Sequence, residues 1–220
     1  MPILRFEIVS DKSDVESLSF DVKKIVCAGY TGRNQVEVKK HVEELKRLGV
    51  PPPPSVPARY VLSADLLTTG GKIGVSSKNT SGEVEAVLLL NGEETYVGIG
   101  SDHTDREMEK TDVLRSKMIC PKPIGKSVWR FDEVEEHWDE LVARSFVHVE
   151  EKAVTYQSSK LVALLQPDKI LDVLGDRDKG TAVYCGTTPL LREPSYSNEF
   201  RIELYDPVRK KSLTHEYRVS

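Results

Sequence analysis

Two acidic clusters carry the chemistry this sequence can offer: Ser81-Gly82-Glu83-Val84-Glu85 and Ser101-Asp102-His103-Thr104-Asp105-Arg106-Glu107, with Ser116-Lys117 close behind. In a strand, residues two apart point to one face about 6.6 Å apart, so Glu83 and Glu85 aim two carboxylates at one point. Asp102, at the end of the next predicted strand, supplies a third oxygen. Three carboxylates suit an octahedral divalent ion that keeps some of its waters for a substrate. The first reading is a magnesium or manganese site. The bland alternative has two solvated glutamates on an edge strand and Asp102 starting a turn before Thr104.

A second clue lies between Asn34 and Leu48. At 100° per residue Val38, Val42, Leu45 and Leu48 form an apolar stripe, with His41 inside it and Glu44 at its edge. A carboxylate bonded to one imidazole nitrogen fixes the tautomer and raises the basicity of the other, as activation of water requires. Glu37, one turn earlier, is an equivalent partner. His-x-x-Glu alone is a weak signal, since most histidines at such positions are packed or solvated.

The elements that must position these residues follow from pattern. Strands are predicted over Leu4 to Val9 and Lys24 to Ala28, then the helix from Asn34 to Leu48, stopped by Gly49. The proline run from Pro51 to Pro57 breaks both helix and sheet and acts as a stiff connector. Alternating strands follow over Arg59 to Leu62, Lys72 to Val75, Glu83 to Leu90 and Thr95 to Gly100, with Gly70-Gly71 and Asn91-Gly92 as hairpin turns. Thr104 caps a helix running toward Met118, and Asp132 caps a short helix containing Val134, Trp138 and Leu141. Further strands are predicted over Val142 to Val149, Lys152 to Tyr156, Ala182 to Cys185, Glu199 to Tyr205 and Ser212 to Tyr217, with a helix around Ser159 to Leu165. The sum is a mostly antiparallel β protein with a few helices.

Composition narrows the function classes. With 220 residues one sizeable core is available, and 31 basic against 35 acidic residues give a formal net charge of -4. That balance offers no general attraction to nucleic acid or anionic lipid. No uncharged apolar run is long enough to span a membrane, and the N-terminal segment alternates like a strand rather than a secretion signal. Cys27, Cys120 and Cys185 are odd in number and widely spaced, which argues against a disulfide framework and a structural zinc site and fits a reducing cytoplasm. Trp129 and Trp138 are read as core residues, and Cys185 as a buried strand cysteine.

The series Gly32-Arg33-Asn34, His41-x-x-Glu44, the proline connector, Glu83-x-Glu85, Asp102-x-x-x-Arg106, Ser116-Lys117, Pro123-Ile124-Gly125 and Gly186-Thr187-Thr188-Pro189 resembles the fumarylacetoacetate hydrolase superfamily in residue type and order. It is most similar to an uncharacterised prokaryotic branch carrying Ser-Asp-His-Thr-Asp-Arg and Ser-Lys-x-x-Cys-Pro-Lys-Pro segments. The resemblance implies an α+β, mostly β fold: a mixed β-roll with a few peripheral helices, forming one catalytic domain over 1–220 with N-terminal strands, helix and connector in 1–57 and the roll in 58–220. It implies Mg²⁺ or Mn²⁺ on Glu83, Glu85 and Asp102, chelating a small 2-oxo or diketo acid, with Lys117 beside the carbonyl that becomes an enolate. By the same resemblance His41 is the base, Glu44 its orienter, Arg33, Arg106 and Thr187 hold substrate carboxylates, Gln157 lines the site, and the protein is a homodimer. The chain departs from the pattern at Glu107, where hydrolytic members often carry Asp, and at Leu190-Leu191-Arg192-Glu193, which replaces a Gly-Val-Gly stretch.

Three functions are compatible with these residues. The leading one is a hydrolase cleaving a carbon-carbon bond in an acylpyruvate or related diketo acid. A 2-oxo acid decarboxylase or enol-keto isomerase would use the same metal and Lys117 without His41. A non-catalytic dicarboxylate-binding relative would not require three acidic ligands and a lysine.

Overall fold

The apolar run Ala86 to Leu90 lies in the strand around which the layers assemble. The structure is a computed structural model describing residues 1–10, 16–47, 49, 51–149 and 152–220. The chain runs through β1 (Ile3–Ile8), β2 (Glu16–Asp21), β3 (Lys24–Gly29), α1 (Gln35–Arg47), β4 (Ala58–Ser63), β5 (Leu67–Thr68), β6 (Lys72–Ile73) and β7 (Thr80–Ser81). A hairpin of β8 (Val84–Asn91) and β9 (Glu94–Ser101) leads to β10 (Thr104–Asp105), α2 (Arg106–Glu109), α3 (Val113–Met118), β11 (Lys122–Pro123) and β12 (Ser127–Arg130). Then come β13 (Val142–Val149), β14 (Lys152–Lys160), α4 (Pro167–Leu174), β15 (Thr181–Tyr184), β16 (Glu199–Asp206) and β17 (Lys211–Val219).

The larger sheet has the order β2-β1-β12-β9-β8-β15-β3-β4, and the smaller one β14-β13-β16-β17-β6. Pairing is antiparallel except at β1/β12, β3/β15, β5/β11 and β6/β17. Ala86, Leu88 and Leu90 of β8 face the smaller sheet, packing with Ile202, Leu204 and Leu213. Val87 and Leu89 face the opposite way, into a second cluster with Phe20, Ile25 and Tyr184. The larger sheet thus curls around one core while packing its outer face on the other. A strand covered on both sides reads as a continuous apolar run, each fully buried leucine contributing roughly 1.5–3 kcal/mol.

Several sequence expectations change. Glu83 precedes β8 rather than lying within it. The single helix toward Met118 is broken into α2 and α3, capped by Asp105, which accepts from Glu107 and Met108 N–H, and by Asp112, which accepts from Arg115 N–H. Carboxylates at these two positions bond the orphan helix donors better than the Thr104 hydroxyl, which instead donates to the Asp102 carbonyl. Gly70-Gly71 makes no hairpin, because β6 pairs in parallel with β17. The expected helix around Ser159 is the end of β14 followed by a single tight turn over Leu161–Ala163. The helix assigned an Asp132 cap consists of tight turns over Phe131–Glu133 and Glu135–Glu140. Leu48, the last member of the apolar stripe, lies outside the described residues. Trp129, Trp138 and Cys185 are buried, as expected. No helix among the described residues is long and apolar enough to cross a membrane.

Candidate metal centre

The acidic residues are delivered to the open end of the β8–β9 hairpin. Glu83 and Glu85 bracket the first residue of β8, and Asp102 directly follows β9. One carboxylate oxygen from each lies within 4.8 Å of the other two. Val84, between the glutamates, is held by its backbone: its N–H donates to Gln157 Oε1 at 2.9 Å and its carbonyl accepts from the Thr187 hydroxyl at 2.8 Å. Gln157 also donates from Nε2 to Thr187 Oγ1 and to the Thr188 carbonyl, both at 2.7 Å, and accepts from Ser145 Oγ at 3.0 Å. Its donors and acceptor are used within the protein. Gln157, expected from the sequence to line the site, braces the Glu-x-Glu segment.

Glu85 Oε2 accepts the Gly186 N–H at 2.8 Å. Gly186 has φ of 94°, and a Cβ there would lie 1.9 Å from Thr31 Oγ1, so the close approach of this turn requires glycine.

Positive charge comes from Arg106 and two lysines. Arg106, the first residue of α2, donates from Nε to Ser81 Oγ at 2.6 Å, and its Nη1 lies 2.8 Å from Glu109 Oε2 and 3.0 Å from Glu83 Oε1. Lys117, in the last turn of α3, is buried and forms an ion pair with Asp102 Oδ2, its ammonium 5.8 Å from the Tyr60 ring centre. Lys122 on β11 approaches the other Asp102 oxygen, Oδ1, at 3.2 Å.

Burial pushes the Glu85 carboxyl well above its ordinary range, and the adjacent Asp102 charge acts the same way. Burial also raises Glu83, against the pull of Arg106. In Asp102 burial works in that direction too, but the charges of Lys117 and Lys122 outweigh it and hold the carboxyl well below the usual carboxylate range. Burial opposes the Lys117 charge, yet Asp102 and Glu83 raise its ammonium well above the ordinary lysine value. Desolvated carboxylates crowded at one point are relieved by a hard divalent cation, and an all-oxygen donor set fits Mg²⁺ or Mn²⁺.

A cleft of about 1080 Å³ reaches Glu83, Glu85, Arg106, Lys117 and Thr187, and α1 forms one of its walls. His41 and Glu44 line that wall. The helix buries none of its residues, so His41 is exposed rather than packed in an apolar stripe. Glu44 lies 4.0 Å from Lys40 Nζ, and no hydrogen bond joins it to His41 among the described residues. The spacing explains this: on a helix the residue four positions away is offset by about 40° and the one three away by about 60°. Arg33 is turned away from the cleft. Its fork binds Asp139 at 2.7 and 2.6 Å and its Nε donates to the Leu164 carbonyl at 2.8 Å. Arg33, expected from the sequence to hold a substrate carboxylate, here ties the turn before α1 to Asp139 and the Leu164 carbonyl.

Lys122 is the residue whose part in the site the sequence reading missed. The available signal was a charge between two prolines in an otherwise apolar segment ending at Ile124.

Residues 28–217 match the family described as Protein of unknown function (DUF2848). The chain belongs to that family. No curated protein matches the DUF2848 sequence. Among solved structures it is similar to a fumarylacetoacetate hydrolase family protein from Yersinia pestis CO92, with a TM-score of 0.63 at 15% identity over 94% of this chain and 96% of that one. A yeast fumarylacetoacetate hydrolase family protein gives a TM-score of 0.59 at 13% identity, covering 91% and 94% of the two chains. A 2-keto-3-deoxy-D-arabinonate dehydratase complexed with magnesium and 2,5-dioxopentanoate gives 0.63 at 14% identity, covering 96% and 77%. The DUF2848 chain therefore has the fumarylacetoacetate hydrolase fold, as the sequence motifs implied.

Proposed function

We propose that this DUF2848 protein is a metal-dependent enzyme acting on a small 2-oxo acid by enolate chemistry. The observation that carries the reading is the buried Lys117 ammonium set among Glu83, Glu85 and Asp102 at the base of an accessible cleft. A fold relative whose structure holds magnesium and a dioxo acid supports it. A divalent ion held by the three carboxylates would polarise the 2-oxo carbonyl and chelate the adjacent carboxylate. The chain's own groups do the rest. Lys117 places a fixed positive charge beside the carbonyl oxygen as negative charge develops there, with no reorganisation needed at that moment. Arg106 pairs with Glu83, and the Gln157–Thr187 brace keeps the two glutamates aimed at one point. Decarboxylation, dehydration and enol-keto isomerisation all leave electrons on that same oxygen, so this charge serves each of them.

Hydrolytic carbon-carbon cleavage is the second reading. It needs a base for water, and it is supported by His41 lining the cleft; the Lys40–Glu44 contact counts against a His-Glu pair. The deciding experiment assays oxaloacetate, acylpyruvates and 2-keto-3-deoxy sugar acids with Mg²⁺, with Mn²⁺ and with EDTA. Metal-dependent turnover of at least one of them is expected. Turnover unaffected by EDTA, or none across the panel, would sink the proposal.

A further inference from the structure

Lys122 has no access to solvent. Its ammonium donates to the main-chain carbonyls of His103 at 2.6 Å, Lys117 at 2.7 Å and Cys120 at 3.1 Å, and stands 3.2 Å from Asp102 Oδ1. The main chain around it is held in turn, because the Tyr184 hydroxyl lies 3.2 Å from the Lys122 carbonyl and 3.1 Å from that of Pro123. β11 also pairs with β5. Burying an ammonium is costly, and an apolar side chain of equal length would fill the same space without that cost. What the lysine adds is specific to its partners: one is the carboxylate of Asp102, one is the residue after Asp102, and one is Lys117 itself.

We infer that Lys122 is a positioning residue of the acidic site, fixing Asp102 through Oδ1 and tying together the main chain at 103 and 117, so that Oδ2 is the oxygen offered to Lys117 and to an incoming cation. The inference rests on the metal reading above. Lys122 itself does not line the cleft and touches no reacting atom. It differs in this from Lys117, which contacts the same carboxylate from the cleft side.

The test compares Mg²⁺ and Mn²⁺ binding by calorimetry in the parent, Lys122→Met and Lys122→Gln. Methionine keeps the length and loses every hydrogen bond; glutamine keeps donors for the carbonyls. Loss of the Lys122 charge alone would favour a cation, so weaker binding reports positioning: Lys122→Met should bind Mg²⁺ at least about tenfold more weakly, and Lys122→Gln, with the same charge lost, should recover part of that loss. A role in packing alone would lower the unfolding temperature of both and leave the dissociation constant of the folded protein unchanged. A folded Lys122→Met protein with the parent's Mg²⁺ affinity would overturn the inference.

The parent chain provides a measurement that needs no folded Lys122 variant. Nitrogen-15 lysine spectra should contain one ammonium protected from water exchange that survives in Lys117→Met, and its resonance should shift when Mg²⁺ is added. No protected ammonium in Lys117→Met, or one unmoved by saturating Mg²⁺, overturns the inference. A parent that binds neither ion removes the metal reading and this role together. A parent that binds, with Lys122→Met unchanged, removes this role alone.

Discussion

The Lys117 ammonium and the Asp102 carboxylate form a buried ion pair inside the acidic triad. A divalent cation entering the triad meets that ammonium, and the two positive charges must share Asp102 in a region where water screens them poorly. The lysine proposed to stabilise developing negative charge would therefore oppose metal loading. Lys117→Met should bind Mg²⁺ more tightly than the parent, by about tenfold or on the order of 1.4 kcal/mol, while losing turnover. Calorimetry beside a steady-state assay checks both halves, and weaker Mg²⁺ binding by the variant would count against the competition.

Glu85→Gln should separate stability from metal binding. Its folded carboxyl is raised above the ordinary value of 4.5, so from that value up to its raised folded value the folded, metal-free protein holds more protons than the unfolded chain. Metal-free stability must fall as pH rises through that window. The glutamine variant has no such proton and still offers an oxygen to Gly186 N–H, so in EDTA it should exceed the parent by a margin that grows with pH, reaching roughly 1–3 kcal/mol. Urea unfolding at pH 5 and pH 8 measures the margin, and calorimetry should show at least about tenfold weaker Mg²⁺ binding.

His41→Ala distinguishes the two reaction classes. Hydrolysis through His41 predicts a fall in kcat of roughly 10² to 10⁴, the usual range for a general base. Enolate chemistry carried by the metal and Lys117 predicts most of the parent rate. Because His41 is exposed, its loss should leave the unfolding temperature within about a degree of the parent, since such surface changes are worth about 0.5 kcal/mol or less. A rate measured on the substrate found in the panel decides between them.

Gly82→Ala should damage the site through packing. A Cβ at Gly82 would stand 2.3 Å from the Tyr217 hydroxyl and 2.5 Å from Ser101 Oγ, which are themselves 2.8 Å apart in a buried hydrogen bond. Tyr217 also lies 3.1 Å from His103 Nδ1, and His103 Nε2 is 2.9 Å from Thr80 Oγ1. The added methyl must break this cluster or push Glu83 away from Glu85. A loss of roughly 1–3 kcal/mol is expected in denaturant unfolding. Parent-like stability would show that the neighbouring side chains can give way.

The parts of the molecule legible in the sequence were those governed by short-range pattern. The β8–β9 hairpin was readable because two strand-like segments flank Asn91-Gly92 and Gly92 supplies the positive φ of 81° at the turn. Residue type and spacing brought Glu83, Glu85 and Asp102 to notice before their meeting point was visible. β2 escaped because only Leu18 and Phe20 among its six residues are buried. α4 escaped because it is eight residues long, although Pro167 in its first turn and the left-handed Gly175 at its end are ordinary helix boundaries. His41 was placed inside an apolar stripe, but that stripe of α1 finds no core to bury it, and His41 is exposed. Lys122 went unread although it stands as a charge between two prolines, since its approach to Asp102 and to the His103 carbonyl is made by folding and not by spacing in sequence.

Helix α1 walls the cleft yet buries none of its thirteen residues. Folding of the β core thus draws little free energy from the identity of the side chains on that helix, whereas the floor beneath is crowded with interlocked charges. Under selection the two would drift at different speeds. Exchanges on α1 can alter what the cleft admits without approaching the stability threshold, while exchanges in the floor put folding and the acidic site at risk together. A lineage carrying this fold can therefore change its diet through one short surface segment and keep its reaction.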